Sequence, residues 1–134
     1  MTLGAKRELF ARLHPRLVLE AHRQGYDVML DELKRGPEQA EYNATHCGTC
    51  RQTKRQHVDA DHDFHAIGIR NTVHGVGLAQ DIILRRNGRP LWARKHYLSL
   101  GLYWESLHAL CRWGGRFRGR GDAGHFSLAH RGKA

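Results

Sequence analysis

Apolar residues recur at three- and four-residue steps through residues 5–24, where Leu9, Phe10, Leu13, Leu17, Val18 and Ala21 form one stripe. The spacing predicts a helix. Pro15 should kink it or split it in two, and Gly25 stands where a helix stop belongs. Tyr26 to Leu30 reads as a short strand, and Gly36-Pro37-Glu38 as the start of another helix. Leu78 to Leu84 is a strand rich in Ile and Leu, Asn87-Gly88 a turn, and Arg89 to Trp92 its return. Residues 94–111 read as a second long helix. Leu98, Leu102, Leu107 and Leu110 should face its core, with Tyr103 and Trp104 as bulky packing. Trp113-Gly114-Gly115 should stop it, a glycine-rich stretch follows to Gly124, and His125 to Leu128 is a last short strand.

Residues 44–66 break this pattern. His46, Cys47, Cys50, His57, His62 and His65 stand among polar residues and three aspartates, with almost nothing apolar to bury. The stretch reads as a long Cys/His-rich loop insertion. A chain of 134 residues supports one core and one domain. No apolar run approaches the roughly 20 residues of a membrane span. The first residues lack the apolar stretch and cleavage site of a signal peptide, so synthesis in the cytoplasm is expected. Three cysteines cannot pair without leaving one over, and reduced thiols are expected there. Residues 85–134 hold 11 Lys and Arg against Glu105 and Asp122, and so carry the whole net charge of +9. Such a basic half suits an anionic partner (nucleic acid, a membrane surface or the cell wall) or is simply a solvated face.

The chemistry gathers at two places. Asp81 stands inside the apolar strand, where a lone carboxylate costs several kcal/mol unless it is paired or bound to a metal. His74 lies seven residues earlier in a glycine-rich approach, and a loop folding back on its strand would join the two. Asp122-Ala123-Gly124-His125 sets a second carboxylate and imidazole together. Two His and one Asp with an open fourth position make a catalytic zinc geometry.

These residues also carry a resemblance. Thr72-Val73-His74-Gly75-Val76-Gly77-Leu78-Ala79-Gln80-Asp81 resembles the S-x-H-x-x-G-x-A-x-D signature of the zinc D-alanyl-D-alanine carboxypeptidases of VanX and VanY type. The phage L-alanyl-D-glutamate endolysins share that signature. Asp122-x-x-His125 resembles the family's second signature, Trp113-Gly114-Gly115-Arg116-Phe117 the W-G-G-x-F run of small phage members, and Arg35-Gly36-Pro37-Glu38-Gln39-Ala40 their R-T-x-x-Q-A segment. The resemblance implies an α+β fold, a small antiparallel sheet with packed helices of the hedgehog or D-Ala-D-Ala-peptidase type, with residues 1–134 as one zinc peptidase domain. It implies His74, Asp81 and His125 as zinc ligands, Asp122 as the catalytic carboxylate and Arg35 as the cation that holds the substrate carbonyl or the developing oxyanion. Thr72 stands for the usual Ser, and Asp122 for the Glu of the VanX-type enzymes. Substrate contacts are expected from Arg35, Thr72 and Trp113.

The implied activity is hydrolysis of a peptide bond in the peptidoglycan stem peptide. An L-alanyl-D-glutamate endopeptidase acting as a phage or prophage endolysin comes first, and a D-alanyl-D-alanine carboxypeptidase second. Such an enzyme is made in the cytoplasm, reaches the wall after holin-mediated or lytic release, and needs no stable protein partner, so a monomer is expected. Cys47 and Cys50 with His57 or His62 are a candidate second, structural zinc site, although the spacing is shorter than a zinc finger's. Trp113 and Phe117 either line a substrate groove or pack the second helix. Arg112, Arg116, Arg118 and Arg120 are expected around the site, steering an anionic polymer or touching an anionic envelope. A basic zinc-containing nucleic-acid-binding module is the alternative from another class. It rests on the charge and the Cys pair, and leaves Asp81 and the two spaced signatures unexplained.

Overall fold

The computed structural model describes residues 1–31, 73–119 and 121–134. The predicted helix start at Gly36 and the Cys/His-rich stretch 44–66 lie outside them. Among the described residues the architecture is α+β: two helices and a small antiparallel sheet. Neither helix is long and apolar enough to cross a membrane.

Helix α1 runs from Leu3 to Arg23. The Thr2 hydroxyl accepts from the Ala5 amide at 3.1 Å and satisfies one of the free N–H groups of the first turn. At the other end Gly25 takes φ +91, and the amides of Gly25 and Tyr26 close back onto the His22 and Ala21 carbonyls. This is the glycine-terminated stop that the sequence placed there. Pro15 does not split the helix. It lies on the exposed side, and Phe10, Leu13, Leu17 and Ala21 stay buried on both sides of it. That continuous burial outweighs a proline cost of about 3 kcal/mol.

The sheet has strand order β1-β2-β5-β4: β1 Asp27–Leu30, β2 Ala79–Arg86, β5 His125–Leu128 and β4 Cys111–Trp113. The short β3, Arg89–Pro90, returns from β2 through Asn87 and Gly88, both at positive φ, as a two-residue hairpin turn requires. The edge of β2 that carries β5 at residues 79–81 carries β3 at residues 85–86, which leaves a gap between them. The Tyr97 hydroxyl fills it, accepting from the Leu84 amide at 3.1 Å and donating to the Leu91 carbonyl at 2.7 Å.

Helix α2 spans Arg94–Leu107, and the chain then turns into β4. The sequence placed this helix to residue 111 and missed the strand. Three residues of strand are too short for alternation to declare itself, and β4 is defined by pairing with β5. The buried face of α2 also differs from expectation. Tyr97, Leu100, Gly101 and Trp104 point inward, whereas Leu98 and Leu102 are exposed. A glycine on the core stripe hides that stripe from a reading by hydrophobicity. Gly101 is there because the Trp113 indole lies directly on its Cα. Trp104 joins the layers: its ring meets Phe10 of α1 and Phe126 of β5 edge-on, and its Nε1 donates to the Ser127 carbonyl at 3.1 Å.

Gly101→Ala should therefore be costly. A Cβ would collide with the fully buried Trp113 ring, and overpacking of this kind costs roughly 1–3 kcal/mol. Urea unfolding should show that loss, and a midpoint unchanged from wild type would contradict the packing.

Candidate metal centre

Three side chains meet on the sheet face opposite Phe126. The β2–β5 register sets Asp81 directly across from His125, and Gln80 across from Phe126. Because side chains alternate along a strand, Asp81 and His125 project to the same side, away from the helix-facing Ile82 and Leu84. His74 arrives from the turn that precedes β2. The Leu78 amide donates to the Val73 carbonyl at 2.8 Å and the Gly77 amide to the His74 carbonyl at 3.1 Å, with Gly77 at φ +73. Arg7 of α1 pins this turn by donating from Nε to the Val76 carbonyl at 2.8 Å. The loop folds back onto its own strand, as the sequence suggested.

The geometry is a triangle. His74 Nε2 lies 3.2 Å from Asp81 Oδ1, His125 Nδ1 lies 3.0 Å from the same oxygen, and the two ring nitrogens are 3.0 Å apart. Both histidines are buried and Asp81 is half-buried. A tetrahedral site with metal–nitrogen bonds of about 2.0–2.1 Å places its ligand atoms about 3.3 Å from one another. The observed edges match that spacing closely, and the donor set of two imidazoles and a carboxylate suits a divalent transition metal. The group can hold a metal ion. Hydrogen bonding alone explains the triangle less well. Two neutral rings donating to one oxygen gain nothing from their own close approach. His74 Nδ1 and His125 Nε2, the outward ring atoms, are buried without a hydrogen-bond partner. Burial disfavours ionised Asp81, but the hydrogen bonds and charge of His125 and His74 outweigh it and hold its carboxyl far below the usual range.

Asp122 stands beside the triangle. Its amide donates to the Gly114 carbonyl at 2.8 Å and its carbonyl accepts from the His125 amide at 3.1 Å. Gly114 and Gly124 permit this turn, since a Cβ on Gly114 would strike the Asp122 carbonyl and one on Gly124 the Ile82 carbonyl. Asp122 is exposed, yet partial desolvation, followed by the charge of Asp81, raises its pKa above the ordinary value. A cation held by the triangle would pull the other way.

Asp81 and Asp122 line one cavity of about 420 Å³, together with Asp31, Trp92, Arg94 and Tyr97. The cavity lies over the gap between β5 and β3. Trp92, Arg94 and Tyr97 were not anticipated, because nothing in their local sequence shows that the β3–α2 connection faces β2.

Other expectations fare differently. Arg35, Thr72, Cys47, Cys50, His57 and His62 lie outside the described residues. Trp113 is completely buried, with Nε1 donating to the Ala123 carbonyl at 2.8 Å, so it packs the core and does not line a substrate groove. Phe117 comes nearer the centre, its ring 5.4 Å from that of His125. Arg112 donates to the Ala109 and Cys111 carbonyls, Arg116 pairs with Glu105 at 2.6 Å, and neither these nor Arg118 lines the cavity; Arg120 lies outside the described residues. Cys111 is buried, which pushes its thiol pKa up to about 12 and leaves it unreactive. No family model and no curated protein matches the chain.

The purified protein should bind one divalent transition metal at this triangle. Asp81→Ala should weaken that binding by about 100-fold or more, since loss of an outer partner alone costs roughly 10–100-fold. Titration calorimetry measures both affinities, and equal values would remove Asp81 from the ligand set.

Proposed function

We propose that the protein is a zinc-dependent peptidase that cleaves the peptidoglycan stem peptide, with the L-alanyl-D-glutamate bond as the first candidate and phage or prophage lysis as the setting. The observation that carries this reading is the convergence of His74 Nε2, Asp81 Oδ1 and His125 Nδ1, with Asp81 and Asp122 lining one cavity. The two sequence signatures that resemble the zinc D-alanyl-D-alanine peptidase family supply these same four residues in the same order. A hedgehog-like fold belongs to the same proposal.

Each residue then has a task. His74, Asp81 and His125 would hold the metal. A zinc ion held there would supply a Lewis acid for the scissile carbonyl and lower the pKa of water toward about 7. Asp122 takes the proton of the attacking water and later returns it to the leaving amine. Arg35 stabilises negative charge on the tetrahedral intermediate, as the resemblance implies.

Mass spectrometry of purified peptidoglycan after digestion tests the reading. New L-Ala carboxyl and D-Glu amino ends, abolished by a zinc chelator, are the expected result. Release of terminal D-Ala would reassign the enzyme as a carboxypeptidase, and no release from metal-loaded protein would refute the peptidase. Asp122→Ala should keep its metal and fold but lose about 100- to 10,000-fold in kcat. Full activity in that variant would refute the role of Asp122.

A further inference from the structure

The charged residues lining the cavity beside the triangle are acidic apart from one. Asp31, Asp81 and Asp122 line it, and Arg94 is the one cation among its described lining residues. Arg94 is exposed, but its guanidinium is anchored. Its Nε donates to the Gly115 carbonyl at 2.9 Å, and its Cζ lies 4.8 Å from the centre of the buried Trp113 ring. Those two contacts fix the plane of the fork. They use only Nε, and no described residue takes up the two terminal Nη groups. A guanidinium held at its base, with its bidentate edge unused by any described residue, is built to receive a carboxylate.

Both candidate bonds present a carboxylate at one position. In the L-Ala–γ-D-Glu bond the leaving nitrogen sits on the carbon that carries the free α-carboxylate of D-Glu. In a terminal D-Ala–D-Ala bond it sits on the carbon that carries the C-terminal carboxylate. We infer that Arg94 is a specificity-determining residue that binds the free α-carboxylate of the residue supplying the leaving amine. This inference rests on the peptidase reading and deepens it: the substrate class is a peptide whose leaving residue is unamidated. The exposed Trp92, on the same cavity wall, is positioned to report occupancy by its fluorescence.

The test uses zinc-loaded full-length protein with two pairs of peptides. One pair is L-Ala-γ-D-Glu-L-Lys and its D-isoglutamine form, in which the α-carboxylate is a carboxamide. The other is D-Ala-D-Ala and D-Ala-D-alaninamide. Wild type should prefer the acid of the cleaved pair in kcat/KM by on the order of 10- to 100-fold, the worth of hydrogen bonds to a charged group. Arg94→Ala should bring that ratio to near one by losing activity on the acid alone, and Arg94→Lys should restore part of it. A purely structural role, through Gly115 and Trp113, would lower acid and amide alike. Equal cleavage of acid and amide by wild type, or an unchanged preference in Arg94→Ala, would overturn the inference while the peptidase reading stands. Where neither pair is cleaved, the peptidase reading fails and Trp92 fluorescence decides separately. Acid-selective binding that Arg94→Ala abolishes supports the carboxylate site, and unselective or absent binding overturns it.

Discussion

Three residue pairs between β2 and β5 set Asp81 opposite His125, and the candidate centre depends on that register. A slip by one residue would turn Asp81 toward the helices and bring Gln80 to the face of the two histidines. Several features hold the register in place. Phe126 is locked against Trp104, the Ile82 amide donates to the Gly124 carbonyl at 2.9 Å, and the Leu128 amide donates to the Leu78 carbonyl at 2.9 Å. The helix-facing core thus fixes the geometry of the opposite face without touching it. The aromatic chain from Phe10 through Trp104 to Phe126 bears on the candidate centre by way of register.

Bringing two buried imidazoles and a carboxylate within 3.2 Å runs against what a stable core prefers. Their outward ring atoms lack partners, and the Ser127 hydroxyl on the same strand is also buried and unpaired. Such unsatisfied polar atoms each cost about 1–3 kcal/mol. A site of this kind is kept together by its scaffold. The turn at residues 73–77 is held to α1 by Arg7, Gly77 supplies the positive φ, and the Asp122 turn is held to Gly114. A metal ion in the triangle would be stabilised by groups whose convergence the fold has already imposed.

The interrupted edge of β2 leaves room for the cavity that Asp81 and Asp122 line. Were β5 and β3 one continuous strand, backbone would fill the space now occupied by the cavity. The Tyr97 hydroxyl satisfies the Leu84 amide in the gap, so the interruption leaves no orphaned donor at that position. Tyr97 belongs to the first turns of α2, and the same helix start supplies Arg94 to the cavity wall. Sheet completion and the one described cation of the cavity wall are therefore delivered by one short connection.

By itself the sequence determined what local patterns encode. The stripe of α1 and its Gly25 stop, the Asn87-Gly88 hairpin and the limits of β5 follow from periodicity and turn chemistry, which act over a few residues. The oddity of Asp81 in an apolar strand and the nearby histidines pointed to a site, and the resemblance implied the three residues that meet. Tertiary structure decided the rest. A proline remained within α1 because a buried stripe crosses it, and α2 turned Tyr97, Leu100 and Gly101 inward because Trp113 needed the room of a glycine. Trp113 went to the core, while Arg94 and Trp92 came to the cavity, because strand order places the β3–α2 connection beside Asp122. Those outcomes depend on contacts between residues far apart in the chain, and no local pattern carries that information.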